Sequence, residues 1–467
     1  MVAGAGMGGC SLMGGYDQGL MLLERLDLRA VAVADLAGAL PPPVWDELVP
    51  TEAVAAIVEE VRHGGDAALR SLTARFDGVE IDAIRVPVAA VSAALSAVPL
   101  ELREALELAY ARVTEYHRHQ RAEDAAVTVD GVVVHHLVRP VRRAGLYAPG
   151  GRAQYPSSVV MCAAPARVAG VEELALCVPP RADGTVAPAT LAAAAVCGID
   201  EVYRIGGAQA VAAMAFGTES IRAVDVVVGP GNRYVAEAKR QLAGRVGTPS
   251  AFAGPSEVVV VADGSVPPAW AAVDVLVQAE HGPDGLAWLV TWDEGVADAV
   301  AAEVERLVEA SPRRQDLQAT LGRNGCAILV ADAEAAMAVA NIVAPEHLEL
   351  LVADPAGLLP QVRSAGAVFL GPYAPASVGD YVAGPNHVLP TARTARFSSA
   401  LRVDDFCTHI HAVEVDRQAL GALGPAVVTL AKAEGLPAHA ASVTVRLDAE
   451  PAGSSAGGTG RARTAER

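Results

Sequence analysis

One stretch decides the fold of this sequence: Asp225-Val226-Val227-Val228-Gly229-Pro230-Gly231-Asn232, a short apolar run that ends in glycines and leads into helical sequence. The same order of strand, glycine turn and helix occurs at Gly145-Leu146-Tyr147-Ala148-Pro149-Gly150-Gly151 and at Val202-Tyr203-Arg204-Ile205-Gly206-Gly207-Ala208-Gln209. Strands that alternate with helices indicate parallel βαβ units, in which ligands bind outside the carboxyl ends of the strands. The three stretches therefore predict an α/β unit with a ligand site at that edge.

A second set of short apolar strands predicts another α/β unit, with strands at 257–262, 286–291, 326–331 and 367–370. Helical spacing precedes both units over residues 50–121, and a strand-like alternation follows at 127–141. We therefore predict an α/β fold with two Rossmann-like βαβ units with parallel sheets, plus N-terminal and C-terminal helical appendages.

Near the C-terminus the sequence predicts a helix over 425–434 and a final strand over 442–446. Pro425 would take the first helical position, where a missing N–H group does no harm.

Length and composition exclude several classes of protein. The 467 residues exceed the roughly 250–300 over which one core keeps growing, so more than one compact unit is expected. The net charge of -18 disfavours nucleic acid as a partner, and the apolar runs are too short to span a membrane. The six cysteines have no CxxC spacing, which predicts neither a disulfide framework nor a thiolate zinc site. No export signal is recognisable, so we expect a cytoplasmic protein.

The two ends of the chain differ from the rest in composition. Residues 1–20 are Gly-rich and 451–467 resemble a flexible tail, so translation from Met21 is an alternative start. Residues 4–9 spell GxGxxG, but a dinucleotide fingerprint needs a preceding strand, and three residues cannot form one.

Polar residues in otherwise apolar sequence mark candidate metal ligands. Gln278 and His281 are three residues apart on one predicted helix face, and the alternative is a histidine that caps helix carbonyls. Asp380 and His387 lie in a glycine-rich stretch, for which the alternative is a surface loop. Glu434 and His439 flank Gly435-Leu436-Pro437, where a solvated helix end is the alternative. Together these residues offer a nitrogen and oxygen ligand set that suits zinc or manganese.

A candidate acid–base pair occurs at Ala344-Pro345-Glu346-His347-Leu348-Glu349. With Pro345 at the first helical position, Glu346 and His347 would occupy the first turn. The positive end of the helix would keep His347 neutral and able to accept a proton near neutral pH. The alternative is a helix start whose glutamate merely complements the dipole.

The order of these motifs is more specific than any one of them. It begins with Gly-Pro-Ser-Glu at 254–257 and Gln-Ala-Glu-His-Gly-Pro at 278–283, and continues through Pro345 and Gly379 to Glu-Gly-Leu-Pro-Ala-His at 434–439. Over roughly Met21 to Leu447 the sequence resembles the histidinol dehydrogenase family. The resemblance implies a zinc-dependent, NAD-linked enzyme of histidine biosynthesis that oxidises L-histidinol through L-histidinal to L-histidine with two NAD.

The resemblance also implies a role for each candidate residue and one zinc ion per subunit, with manganese as a substitute. The implied zinc ligands are Gln278, His281, Asp380 and His439. The implied acid–base pair is Glu346 and His347, and the implied NAD contacts are Tyr147, Gln209 and Asn232. The implied substrate contacts are Ser256, Gln278, His281, His347, Asp380, His387, Glu434 and His439. A homodimer is implied in which each C-terminal segment reaches the zinc of the other subunit.

This resemblance leads to a predicted domain organisation. The parts are a disordered leader (1–20), an N-terminal appendage (21–44), an α/β domain with the catalytic and metal residues (45–146 and 256–401), an NAD-binding α/β domain (147–255), a C-terminal appendage swapped in a dimer (402–450) and a flexible tail (451–467).

Three alternatives to this mechanism follow from the residues. Cys407, near His409 and His411, could form a thiohemiacetal. Glu346 could act as the base of a zinc hydrolase, against which the three glycine turns argue. A catalytically idle binding protein is the third alternative, against which the Glu346-His347 pair argues. The remaining histidines are interpreted as solvated or strand-face residues, namely His63, His117, His119, His135 and His136.

Overall fold

The computed structural model describes residues 22–41, 49–150, 154–249, 254, 256–282 and 284–449. The predicted leader and tail lie outside these residues. The chain divides into two compact units. The first contains the described residues up to Arg121 together with Pro140–Phe406, and the second contains Ala122–Arg139 together with the described residues from Cys407 onward.

The elements follow one another along the chain as strands and helices. The strands are β1 (Glu24–Asp27), β2 (Ala125–Val129), β3 (Val132–Pro140), β4 (Arg143–Tyr147), β5 (Glu173–Cys177), β6 (Glu201–Tyr203), β7 (Val226–Val228), β8 (Glu257–Ala262), β9 (Leu286–Thr291), β10 (Gly325–Leu329), β11 (His347–Leu351), β12 (Ala367–Leu370) and β13 (Cys407–Val415). The helices are α1 (Leu36–Ala39), α2 (Thr51–Asp77), α3 (Val88–Ala97), α4 (Leu100–Arg118), α5 (Pro156–Ala169), α6 (Pro188–Val196), α7 (Gly207–Phe216), α8 (Arg233–Leu242), α9 (Pro268–Ala279), α10 (Glu294–Ala310), α11 (Arg314–Asn324), α12 (Ala333–Val343), α13 (Pro355–Leu358), α14 (Ala376–Tyr381), α15 (Arg417–Ala433) and α16 (Pro437–Asp448). Short 3-10 helices occur at Val33–Asp35, Leu359–Gln361, Thr394–Arg396 and Val403–Phe406.

The first unit contains a six-stranded parallel sheet with the order β1-β10-β9-β8-β11-β12. Its valine-rich strand β8 is buried on both faces, because successive side chains of a strand point in opposite directions. Val258 and Val260 pack in one core cluster, which includes residues of α9 and α10. Val259 and Val261 pack in another, which includes residues of α12. Such continuous apolar strands are typical of a parallel sheet covered by helices on both faces.

A smaller parallel sheet in the same unit has the order β6-β5-β4-β7. One of its faces packs against α2, α7 and α8 in a single core cluster. The two parallel sheets confirm the predicted α/β fold class.

The second unit contains a three-stranded sheet with the order β13-β3-β2. Strands β2 and β3 are antiparallel, which agrees with the strand-like alternation of 127–141. Helices α15 and α16 pack against each other. Asp416 caps the start of α15, where its Oδ1 accepts a hydrogen bond from the N–H group of Ala419 at 2.7 Å.

Three local predictions were wrong. Residues 442–446 belong to helix α16 rather than to a strand, and Pro425 lies inside α15 rather than at its start. Glu346 and His347 do not begin a helix. Helix α12 ends at Ala344 in a left-handed conformation (φ 49°), and the chain then enters strand β11 at His347.

No helix in the described part of the chain is long and apolar enough to cross a membrane.

Candidate active site

The site is organised around two glutamates at the amino ends of the neighbouring strands β8 and β11. The N–H group of Glu257 donates to Oε2 of Glu346 at 3.0 Å, and the N–H group of Glu346 donates to Oε2 of Glu257 at 3.1 Å. Glu257 Oε1 also accepts from the N–H group of Ala392 at 2.7 Å. Burial raises the pKa of Glu257 to about 8, although these backbone hydrogen bonds oppose the shift. The pair therefore fixes the start of both strands.

His347 is buried beside this pair. Its Nδ1 lies 3.0 Å from the carbonyl oxygen of Glu257, and its Nε2 lies 3.1 Å from Oδ1 of Asp380. Because a carbonyl oxygen can only accept, Nδ1 carries a hydrogen. Burial lowers the pKa of His347, but the carboxylates of Glu346 and Asp380 outweigh it and raise the pKa well above its ordinary value. The helix end that was expected to keep this imidazole neutral is absent, because His347 begins a strand.

Asp380 connects His347 to a second polar group. On its other side, Nε2 of Gln278 donates to Oδ2 of Asp380 at 3.1 Å. Gln278 is buried near the end of α9, and Asp380 lies in α14. His281, just after α9, is exposed and stacks on Tyr155 with 6.0 Å between ring centroids. These three predicted metal ligands line one cavity of about 510 Å³.

The predicted substrate contacts of the first unit line the same cavity. They are Ser256 and His387, together with His347 and the three metal-ligand candidates. His387 Nδ1 lies 2.7 Å from the carbonyl oxygen of Asp380, and Nε2 lies 3.4 Å from Oγ of Ser158. Burial lowers the pKa of His387, which favours a neutral ring.

The donor chemistry of this cavity fits zinc or manganese. An amide, a carboxylate and an imidazole supply oxygen and nitrogen ligands, which both metals accept. Among the described residues, however, no three His, Cys, Asp or Glu side chains are grouped as a metal site. The fourth predicted ligand, His439, is exposed in α16 of the second unit, and Glu434 is exposed at the end of α15.

A second cavity of about 880 Å³ lies at the carboxyl ends of the smaller sheet. Its lining includes all three predicted NAD contacts, Tyr147, Gln209 and Asn232. The hydroxyl of Tyr147 accepts a hydrogen bond from the N–H group of Gly207 at 3.1 Å. Asn232 caps α8, where its Oδ1 accepts from the N–H groups of Tyr234 and Val235. Asn232 also lines the first cavity, so the two cavities adjoin.

The two cavities lie at opposite ends of the strands in the two sheets, at carboxyl ends in the smaller sheet and at amino ends in the larger one. The glycine-turn cavity lies at carboxyl ends, where a parallel sheet is expected to bind ligands. Glu346 and His347 lie at the start of β11, and Ser256 directly precedes β8. In the larger sheet these residues therefore lie at the amino ends of the strands.

Several buried polar residues were missed or misinterpreted in the sequence. Glu257 ends the Gly-Pro-Ser-Glu motif, for which no role of this glutamate was predicted. A charged residue at the start of a valine-rich strand is the signal that could have identified it. His117, expected to be solvated or on a strand face, is fully buried in α4, where Nδ1 lies 2.7 Å from the carbonyl oxygen of Val113. Burial raises the pKa of Cys162, Cys177 and Cys326 to about 12, which disfavours a thiolate nucleophile at these positions.

The glycine turn after β7 requires a close approach of two backbones. Gly229 has φ of 112°, and a Cβ atom there would collide with the carbonyl oxygen of Tyr147. The buried Lys239 Nζ donates a hydrogen bond to the Gly229 carbonyl oxygen, and burial lowers the pKa of this lysine to about 8. The backbone of this turn is thus fixed at Gly229, by the close approach to Tyr147 and by the hydrogen bond from Lys239.

We expect Gly229→Ala to destabilise the protein by more than the roughly 1–3 kcal/mol of backbone strain alone, because the methyl group also meets a carbonyl. The measurement is the midpoint of urea unfolding. Gly244→Ala is the matched control, since Gly244 also has a positive φ (92°) but a Cβ atom there would meet no atom of the described residues within 4 Å. Equal midpoints for the two variants would contradict the predicted collision.

Comparison with known proteins places the chain in a family. The histidinol dehydrogenase family model matches residues 46–447. The histidinol dehydrogenase of Gluconobacter oxydans (strain 621H) is 48% identical over 430 residues, which cover 91% of this chain and 100% of the relative. That of Cereibacter sphaeroides is 50% identical over 398 residues, which cover 85% of this chain and 91% of the relative. The crystal structure of histidinol dehydrogenase from Elizabethkingia anophelis has a TM-score of 0.86 at 34% identity and covers 91% of this chain and 98% of that chain.

The fold, the site and these matches define the class of the protein as an α/β oxidoreductase. More particularly, the chain belongs to the histidinol dehydrogenase family, because the family model spans most of its length.

Proposed function

We propose that this protein oxidises L-histidinol to L-histidine through L-histidinal with two NAD, as a zinc-dependent enzyme of the last steps of histidine biosynthesis. The observation that carries the proposal is that the cavity with the acid–base groups adjoins the cavity at the glycine turns. Oxidation of an alcohol to an acid needs two hydride transfers with a hydration between them. The acid–base groups must therefore lie next to the site that binds the nucleotide.

The metal would be held by Gln278, His281 and Asp380, with His439 as the fourth ligand. The hydrogen bond between Gln278 and Asp380 already brings two of these side chains together at 3.1 Å. When bound, zinc would anchor the amine and imidazole nitrogens of the substrate, which are ligands that suit this metal, and manganese can substitute.

His347 is the proposed base for the alcohol proton in the metal-bound enzyme, where Asp380 would be a metal ligand and would no longer raise the pKa of the imidazole as a free carboxylate. Its Nδ1 hydrogen faces the Glu257 carbonyl, so Nε2 is the atom that exchanges a proton. Glu346, whose Oε2 lies 3.4 Å from Nδ1 of His347, is proposed to activate the water that adds to the aldehyde. After it releases the first proton to solvent, His347 would accept a proton from the hydrate during the second oxidation.

The remaining residues are proposed to bind the substrate and NAD. Ser256, His387 and Glu434 would contact the substrate, in addition to the metal ligands and His347. Tyr147, Gln209 and Asn232 would contact NAD, which when bound accepts the hydride. Residues 147–255 would form the NAD-binding domain, and 45–146 with 256–401 the catalytic domain.

We propose further that the active form is a cytoplasmic homodimer with shared sites. Glu434 and His439 belong to the second unit, and the exposure of both side chains is consistent with a role at another subunit's site.

The test is the ultraviolet absorbance of NADH after protein, NAD and L-histidinol are mixed. The proposal requires NADH and L-histidine in a ratio of two to one. A zinc hydrolase or an idle binding protein would produce no NADH. NADH formation that stops at the aldehyde would refute the four-electron reaction.

We expect removal of the metal by a chelator to abolish turnover, because every proposed ligand donates nitrogen or oxygen to a substrate-anchoring ion. Zinc or manganese should restore NADH formation, whereas magnesium, which keeps its water ligands, should not. The measurement is the initial rate before and after each addition, with metal content checked by elemental analysis. Full activity in a preparation free of metal would refute the assigned metal site.

A further inference from the structure

A buried glutamate connects strand β11 to the helix that carries Asp380. Glu349 is fully buried and lies two residues after His347, on the same face of the strand. Its Oε1 accepts a hydrogen bond at 3.0 Å from the N–H group of Ala376, the first residue of α14. Asp380 follows four residues later, one helical turn along. The start of the Asp380 helix is therefore tied to the strand that begins with His347.

A second buried acid connects the same glutamate to the helix that carries Gln278. Asp274 lies in α9, one turn before Gln278, and is 6% exposed. The carboxyls of Glu349 and Asp274 are direct neighbours, and burial together with the carboxyl of Asp274 raises the pKa of Glu349. One proton is therefore retained by the pair at neutral pH, which avoids two buried negative charges.

Helix α14 is also held by a close contact with the ring of Phe369. Gly379 lies so close to the ring of Phe369 that a Cβ atom would collide with it. Phe369 in turn stacks on His347, with 5.9 Å between ring centroids and 21° between planes. Helix α14 is thus fixed by Phe369 near Asp380 and by Glu349 at its first residue. A shift of either contact moves Asp380 relative to His347.

We propose that Glu349 and Asp274 are positioning residues, which hold α14, α9 and β11 so that Asp380, Gln278 and His347 meet at one point. This inference rests on the proposed function, because it concerns the geometry of the metal and acid–base groups. Neither carboxyl lines either cavity, so their role is to act through the three residues that do.

The test compares zinc affinity, measured by competition with a chromogenic chelator, in Glu349→Ala, Glu349→Asp and Glu349→Gln. Alanine removes the tie and aspartate withdraws the carboxyl by one methylene, so both should bind zinc about 10–100-fold more weakly. Glutamine keeps an oxygen for Ala376 and offers an N–H donor to Asp274, so its affinity should stay within about threefold of the unmodified protein.

Asp66→Asn is the matched control. Asp66 in α2 is also a buried acid, but it accepts hydrogen bonds from Thr218 and Ser220 and lines neither cavity, so its replacement should leave zinc affinity unchanged. Amide hydrogen exchange over 376–381 gives a readout without metal, and it should accelerate in the alanine and aspartate variants alone. If the alanine variant does not fold, the aspartate variant carries both measurements.

Two outcomes overturn the inference: unchanged affinity and exchange in the alanine and aspartate variants, or a glutamine variant that loses as much as they do. The failure of the proposed function would look different, because the unmodified protein would then bind no zinc. In that case the exchange measurement alone decides whether Glu349 holds α14.

Discussion

Replacement of His347 by alanine is expected to lower kcat for both oxidations by about 10²–10⁴-fold, which is the usual contribution of a general base. The effect should be this large because the imidazole is held at both nitrogens, by the Glu257 carbonyl and by Asp380. The measurement is the rate of NADH formation from L-histidinol and, separately, from L-histidinal. His63→Ala, at an exposed histidine of α2, is the control and should be neutral.

Glu346→Gln separates the two roles assigned to the pair. Glutamine still accepts the hydrogen bond from the N–H group of Glu257 but cannot take a proton from water. The first hydride transfer should therefore persist in a single turnover, while conversion of the aldehyde to the acid slows. A Glu346→Gln variant that is blocked only in the first transfer would contradict this assignment.

The metal-free protein offers a second readout for His347. A pKa raised above the ordinary 6.5 means that the protonated ring stabilises the folded state, fully so below the unfolded pKa. That contribution is lost as the pH rises through the raised value. The difference in unfolding free energy between the unmodified protein and His347→Ala should therefore be largest in acid and shrink with increasing pH. A difference that grows with pH would argue against the paired imidazolium.

Mixed dimers of two inactive variants are expected to regain activity. If His439 completes the metal site of the other subunit, His439→Ala and Gln278→Ala chains together form one site with both lesions and one with neither. Activity should rise from near zero in each parent toward half of the unmodified value per mixed dimer. The measurement is NADH formation after the two chains are refolded together, with the heterodimer fraction determined from two different affinity tags.

The control for this experiment mixes Gln278→Ala chains with Asp380→Ala chains. Both remove ligands contributed by the first unit, so each mixed dimer has one lesion in each site and should stay inactive. Recovery in this control, or no recovery in the His439 mixture despite confirmed heterodimers, would refute the shared site.

The alternation of strands, glycine turns and helices was sufficient to predict the two parallel sheets and a cavity at the glycine turns. Gln278 and Asp380 were separate candidate ligands on their chemistry, and only the family resemblance assigned them to one metal. The strand at His347 was missed because Pro345 is equally suited to a helix start, and the left-handed turn at Ala344 that redirects the chain has no glycine to mark it.

The amino-end location of the acid–base pair could not be predicted, because it depends on which strands are neighbours. Glu257 and Glu346 are far apart in sequence and meet only because β8 and β11 pair in the sheet. Similarly, Asp274 and Glu349 look like ordinary surface acids in the sequence. Their burial becomes evident only when α9 packs against α14 beside β11.

The order of strands in the larger sheet has a consequence during synthesis on the ribosome. Strand β1 pairs with β10, so Glu24 has no strand partner until Cys326 has been synthesised. At ~5–20 residues per second, roughly 300 residues take about 15–60 s to translate. The smaller sheet, complete by Val228, can close long before that. The nascent chain can thus complete its smaller sheet while its first strand is still unpaired, so the sheet that contains the first strand of the chain is the later of the two to be finished.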